Sequence, residues 1–241
     1  IAGSNLMAEP VFSPDGKTVA CAWDRRIEWR DGATGALVKQ ERLDGKVLRL
    51  QWTRSGDRVV LHLENRVEVR AWPRGTVERT IKSGQYPKRP IAVALSDDGE
   101  WLVAAQYSDD VHVHGPGMKK PAVFTPPKMV TGLAFVSEHE VVASCQDDVL
   151  RRYDVRSPAT PLQQVPLSEV GRLVQSPDGR RLAVGSLEAY VDSKPTCVLD
   201  ALTLKELFVL EGPCKVLAFS ADGTKLLTSD GMTLQVHAVG R

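Results

Sequence analysis

Hydrophobic and polar positions repeat one pattern along the chain: an apolar pair, a polar turn of the Ser-Pro-Asp-Gly kind, then a run of aliphatic and β-branched residues. The copies are VFSPDGKTVACAW from Val11, QWTRSGDRVVLHLE from Gln51, ALSDDGEWLVAAQY from Ala94, AFVSEHEVVASCQ from Ala134, VQSPDGRRLAVGS from Val174 and AFSADGTKLLTSD from Ala218. The turn glycine, replaced by His139 in the fourth copy, falls at 16, 56, 99, 139, 179 and 223, giving spacings of 40, 43, 40, 40 and 44. Four short strands and their turns occupy a period of that length. Each copy continues through an Asx- or charge-bearing turn (Asp24, Asn65, Asp110, Asp148) into an alternating strand such as VEVR or VHVH. Asp, Asn and Gly tolerate the positive φ of tight hairpins, so these residues punctuate strands. Sustained helical periodicity with capping signals is absent, so the pattern predicts next to no helix.

One four-stranded sheet cannot bury both of its faces, whereas sheets stacked around an axis can. The expected fold is therefore all-β: a single β-propeller domain over 1–241, of about six four-stranded blades, with repeats at 6–45, 46–90, 91–129, 130–170, 171–213 and 214–241. Flanking sequence could add a seventh. The second strand of each unit (VVLHL, WLVAA, RLAVG) should be buried on both faces, and the third should alternate more clearly.

RDGATGALV resembles the end of a WD repeat, with Arg30-Asp31 where Trp-Asp usually stands and Tyr153-Asp154 and Leu199-Asp200 in the same place later. The likeness, to degenerate bacterial-type WD-repeat propellers, spans essentially the whole chain. It departs in lacking the Gly-His pair near the start of each repeat and in keeping the Asp in only three copies. YVTN-type and TolB-like propellers share the S-P-D-G turn. The resemblance implies a scaffold that binds protein or peptide partners.

Composition narrows the function classes. Lys and Arg total 31 against 30 Asp and Glu, a balance unlike the net basic field of a dedicated nucleic-acid binder. The four cysteines (21, 145, 197 and 214) form no C-x-x-C pair. Cys21 and Cys145 lie in apolar runs and read as small buried hydrophobes, which fits a reduced, cytoplasmic setting. No apolar stretch reaches the ~20 residues of a membrane span. The first residues form no signal peptide, and the missing initiator Met points to an excised domain of a larger protein or a processed product.

Candidate chemistry is sparse. His112 and His114 alternate on one strand and could share a metal, but no third ligand is evident, so an ordinary pair is expected. Asp109-Asp110 and Asp147-Asp148 fall at equivalent hairpin turns and read as turn chemistry. Neither a nucleophile elbow, a Walker loop, a dinucleotide fingerprint nor H-E-x-x-H occurs. The expectation is therefore a non-enzyme with no catalytic residue, cofactor or metal; the alternative is a lactonase- or hydrolase-like propeller with an axial metal. The basic doublets (25-26, 88-89, 119-120, 151-152, 180-181) read first as solvated rim, although Arg151-Arg152, partly within a strand, would send one side chain out and lay the other along the sheet. A partner is expected at Tyr86, Lys88 and Arg89, in the longest linking loop, and at Tyr190 and Asp192, in the longest hairpin, because Tyr and Arg anchor interfaces and long loops in compact repeats carry function.

Overall fold

The structure, a computed structural model, describes residues 8–82, 91–105, 110–167, 171–185, 195–213, 215–230 and 232–240. They form two compact units, Ile1–Arg89 and Pro90–Arg241. Unit one holds two sheets: β1 (Ala8–Phe12), β2 (Thr18–Trp23), β3 (Arg26–Asp31) and β4 (Leu37–Arg42), then β5 (Val47–Trp52), β6 (Arg58–Leu63), β7 (Arg66–Ala71) and β8 (Val77–Lys82). Unit two holds four. The third sheet is β9 (Ala92–Leu95), β10 (Leu102–Ala105), β11 (Val111–His114) and β12 (Ala122–Phe124). The fourth is β13 (Val130–Phe135), β14 (Glu140–Cys145), β15 (Val149–Asp154) and β16 (Gln163–Pro166). The fifth is β17 (Arg172–Gln175), β18 (Arg181–Gly185), β19 (Pro195–Asp200) and β20 (Glu206–Pro213). The sixth has three strands among the described residues: β21 (Lys215–Phe219), β22 (Lys225–Ser229) and β23 (Leu234–Ala238). Every pairing is antiparallel between neighbours in sequence, and no α-helix occurs among the described residues. The fold class is all-β, and such four-stranded meanders are the blades of a β-propeller.

The recurrent turn explains why the sequence folds this way. Ser13, Ser96, Ser176 and Ser220 each donate a side-chain hydrogen bond to the Asp two residues on. The same hydroxyl accepts from the backbone N–H five residues on, at 2.9 Å in each case. In the second copy Thr53 and Asp57 replace the pair. Gly16, Gly56, Gly99, Gly179 and Gly223 close these turns at φ between 69° and 75°, which a β-carbon would strain. The fourth copy closes without glycine, its Val136 N–H bonding the Glu140 carbonyl at 2.9 Å.

The second strands β6, β10, β14 and β18 are buried on both faces, whereas β22 alternates. The third strands β3 and β7 are not the half-solvated ladders that their alternation suggests. Glu28 and Glu68, the polar members of β3 and β7, are only 8% and 5% exposed, because guanidiniums on the same face cover them. Arg30 chelates Glu28 through Nε and Nη2 at 2.9 and 2.6 Å. Glu68 is held by Arg66 and Arg70 together. Alternation here separates an apolar face from a buried ion-pair face.

Within unit one, Trp29, Trp52 and Trp72 pack at centroid distances of 4.5 to 5.8 Å beside Ile27, Val47, Val59 and Leu61. Within unit two, the fourth and fifth sheets are joined by polar contacts. The Ser144 hydroxyl donates to the Gly171 carbonyl at 2.7 Å, and Thr131 reaches the same oxygen. Gly132 permits this approach: a β-carbon there would stand 2.7 Å from Ser144 Oγ and 3.0 Å from the Gly171 oxygen.

Candidate partner-binding surface

In a four-stranded meander, one end of the sheet carries the second–third hairpin and the linker to the next sheet. The expected contact residues Tyr86, Lys88, Arg89, Tyr190 and Asp192 all lie outside the described residues. The described part of this end in unit one is built as follows.

Two residues, Asp24 and Arg25, turn β2 into β3, with Asp24 at φ 49°. The Asp24 carbonyl accepts from Val47 N–H and the Arg25 carbonyl from Leu43 N–H, both at 2.7 Å. The hairpin and the linker that follows β4 thus hold each other. Register sets Trp23 opposite Arg26, and Arg26 opposite Arg42. Directly opposed residues project from one face, so a tryptophan and two arginines form a row across three strands. The Arg26 guanidinium carbon lies 5.7 Å from the Trp23 ring centroid, within cation–π range. Arg26 and Arg42 are exposed, and among the described residues neither has an ion-pair partner. Arg25, beside them, is 4.0 Å from Glu64 across the gap to the second sheet, with both side chains half exposed.

The equivalent row of the second sheet is Leu63–Arg66–Lys82. Arg66 is not free there. It bonds Glu68, Asn65 and the linker residue Asp44, and its hydrogen bond holds the Asp44 carboxyl below the usual carboxylate range.

Other candidate groups serve the fold. Asp31 and Asp200 receive the backbone and side-chain donors of Thr34 and Thr203 in equivalent turns. Thr233 does the same at Asp230, whose pKa falls to about 2 through those bonds. Asp147 takes a bidentate pair from Arg151 at 2.8 and 2.6 Å, which lowers its pKa, and Asp148 turns the chain at φ 59°. Burial raises the thiols of Cys21 and Cys145, which removes thiolate reactivity. His112 is lowered by desolvation and His114 is buried. Among the described residues no group of three His, Cys, Asp or Glu could hold a metal.

Two basic doublets are not solvated rim, and Arg151-Arg152 lies within a strand as its alternation suggests. Arg151 is 4% exposed, because it is a β15 residue pointing back at its own hairpin. Arg181 Nη1 donates to the carbonyls of Gly223, Val239 and Gly240 at 3.3, 3.0 and 2.8 Å, joining the fifth and sixth sheets. The role of Arg181 is not legible locally, since its partners stand in another sheet. The Trp23–Arg26–Arg42 row also escaped sequence reasoning: Arg42 comes opposite Arg26 only through β3–β4 register. The Trp-x-x-Arg spacing across a two-residue turn was the available signal.

No protein-family model matches the chain, and no curated protein matches it in sequence. Solved structures do match: 1672 chains share its fold, and a fold so widely used carries no single function. One is a chain from the crystal structure of a mitotic checkpoint complex, at 18% identity and a TM-score of 0.67, covering 98% of this chain and 76% of that one. At that identity the likeness establishes the fold, and the six sheets are those of a β-propeller.

Proposed function

We propose that the chain is a non-catalytic interaction platform that binds protein or peptide partners through the linker-bearing ends of its sheets. The observation that carries this reading is the division of polar residues. The aspartates of the recurrent turns, together with Asp31, Asp147, Asp200 and Asp230, are engaged in closing hairpins, while Arg26 and Arg42 stand exposed beside the half-buried Trp23. Tyr, Trp and Arg on stiff backbone lose little entropy on docking and are the residues that anchor interfaces. The similar solved chain belongs to a protein complex, which fits such a role. The contact surface includes Tyr86, Lys88, Arg89, Tyr190 and Asp192, and the reading places the protein in the cytoplasm.

The test is quantitative capture from source-cell lysate, comparing the wild type with a Tyr86→Ala/Lys88→Ala/Arg89→Ala variant of matched thermal stability. A protein enriched by the wild type and lost by the variant is the expected result. If nothing is enriched by the wild type, or if elemental analysis finds a stoichiometric metal, the platform reading fails and the metal-dependent propeller enzyme takes its place.

A further inference from the structure

The Trp23–Arg26–Arg42 row carries a small cost that no ion pair among the described residues offsets. Like charges directly opposite on neighbouring strands destabilise a sheet, and Arg26 faces Arg42 in register. In the second sheet the equivalent Arg66 is neutralised by Asp44 and Glu68. In the first sheet the corresponding acid, Glu28, is engaged by Arg30 instead, which leaves Arg26 and Arg42 opposite each other in register with no ion-pair partner among the described residues.

Resting on the platform reading and narrowing it to one partner chemistry, we propose that this row docks an acidic peptide segment of a protein partner, Arg26 and Arg42 receiving its carboxylates and Trp23 supporting the chain between them. Three observations select that ligand. The row supplies two planar forks, and guanidinium pairs bidentately with carboxylate. The backbone beneath is fixed by the Leu43–Arg25 and Val47–Asp24 hydrogen bonds, so little ordering remains to be done on binding. The positive patch is small within a chain of formal net charge +1, which suits a short acidic segment and disfavours a polyphosphate backbone that needs a row of cations.

The experiment is fluorescence anisotropy on the intact chain. The probes are a labelled hexaglutamate peptide flanked by glycines, the same peptide with glutamine in place of glutamate, and a labelled single-stranded decathymidylate. The glutamate peptide should bind and the glutamine peptide should not. Arg26→Ala/Arg42→Ala should weaken binding about tenfold or more, Arg26→Lys/Arg42→Lys should restore it only in part, and Lys39→Ala should leave it unchanged. Arg42→Glu makes an opposite-charge pair with Arg26, so it should abolish binding while raising Tm by about 1–4 °C; that rise also excludes loss of binding through misfolding. Equal binding of the two peptides, or unchanged binding by the alanine variant, overturns the proposal. Tighter binding of the oligonucleotide overturns it in favour of a nucleic-acid surface. Should the row fail while Arg26→Ala/Arg42→Ala still captures a lysate partner as well as wild type, the platform reading survives with a different surface.

Discussion

The first two sheets share a topology, and their rows at the linker end start from the same arginine, yet they use it oppositely. Arg66 lies under Asp44 and Glu68, with 15% of its side chain exposed, and ties the linker to β7. Arg26 lies open against Trp23. One scaffold position thus serves stability in one sheet and is left for something else in the next. What differs is the supply of acid: Asp44 sits on the linker shared by both sheets, and it pairs with Arg66 rather than Arg42. Buried charges must be paired or they destabilise, whereas exposed ones are solvated at little cost. Truncation should therefore tell the two rows apart.

The largest effect expected is at Glu68. Glu68→Ala removes the carboxylate shared by Arg66 and Arg70 and leaves both partly buried guanidiniums short of a partner. Urea denaturation should show a loss of about 3 kcal/mol. Next comes Arg66→Ala, at about 1–2 kcal/mol, because Glu68 keeps Arg70 while Asp44 loses its cation. Stability should also depend on pH in a way that distinguishes the two sheets. His62 of β6 occupies the place of Ala22 in β2, and burial, with Arg49 adding to it, takes its pKa from 6.5 down to about 3. An imidazole neutral in the fold but protonated in the unfolded chain contributes stability above pH 6.5 that is lost as pH falls toward 3. Midpoints measured from pH 7 to pH 4 should fall for the wild type. His62→Ala, which installs the first sheet's residue, should flatten that slope despite its lower baseline. The smallest change expected is at Arg26: Arg26→Ala should stay within about 0.5 kcal/mol of wild type. If Arg26→Ala proves as costly as Arg66→Ala, the two rows are not different in kind.

Much of the fold was legible in the sequence because its signals are local. The S-x-D-G turns, the Asp24 and Asp148 hairpins and the doubly buried strands β6, β10 and β18 depend on residues within about five positions of one another, and the structure shows each of them. The alternation of β3 and β7 was legible as a period but misleading as exposure. A glutamate beside an arginine two residues along reads as solvent-facing, and only packing shows that the pair is covered. The expected contact residues Tyr86, Lys88, Arg89, Tyr190 and Asp192 lie outside the described residues, and the Trp23–Arg26–Arg42 row was not legible because Arg42 meets Arg26 only through β3–β4 register.

The sequence by itself determined the six repeats, the order of their strands and the hairpins between them, since turn chemistry and period-two hydrophobicity act over one or two strands. Tertiary structure alone decided which charges are structural and which stand free. Arg66 finds Asp44 across 22 residues and Arg26 meets Arg42 across 16, and those meetings follow from register and linker packing. No local pattern encodes them, because the same Arg-x-Glu-x-Arg string is compatible with either arrangement until the neighbouring strand arrives.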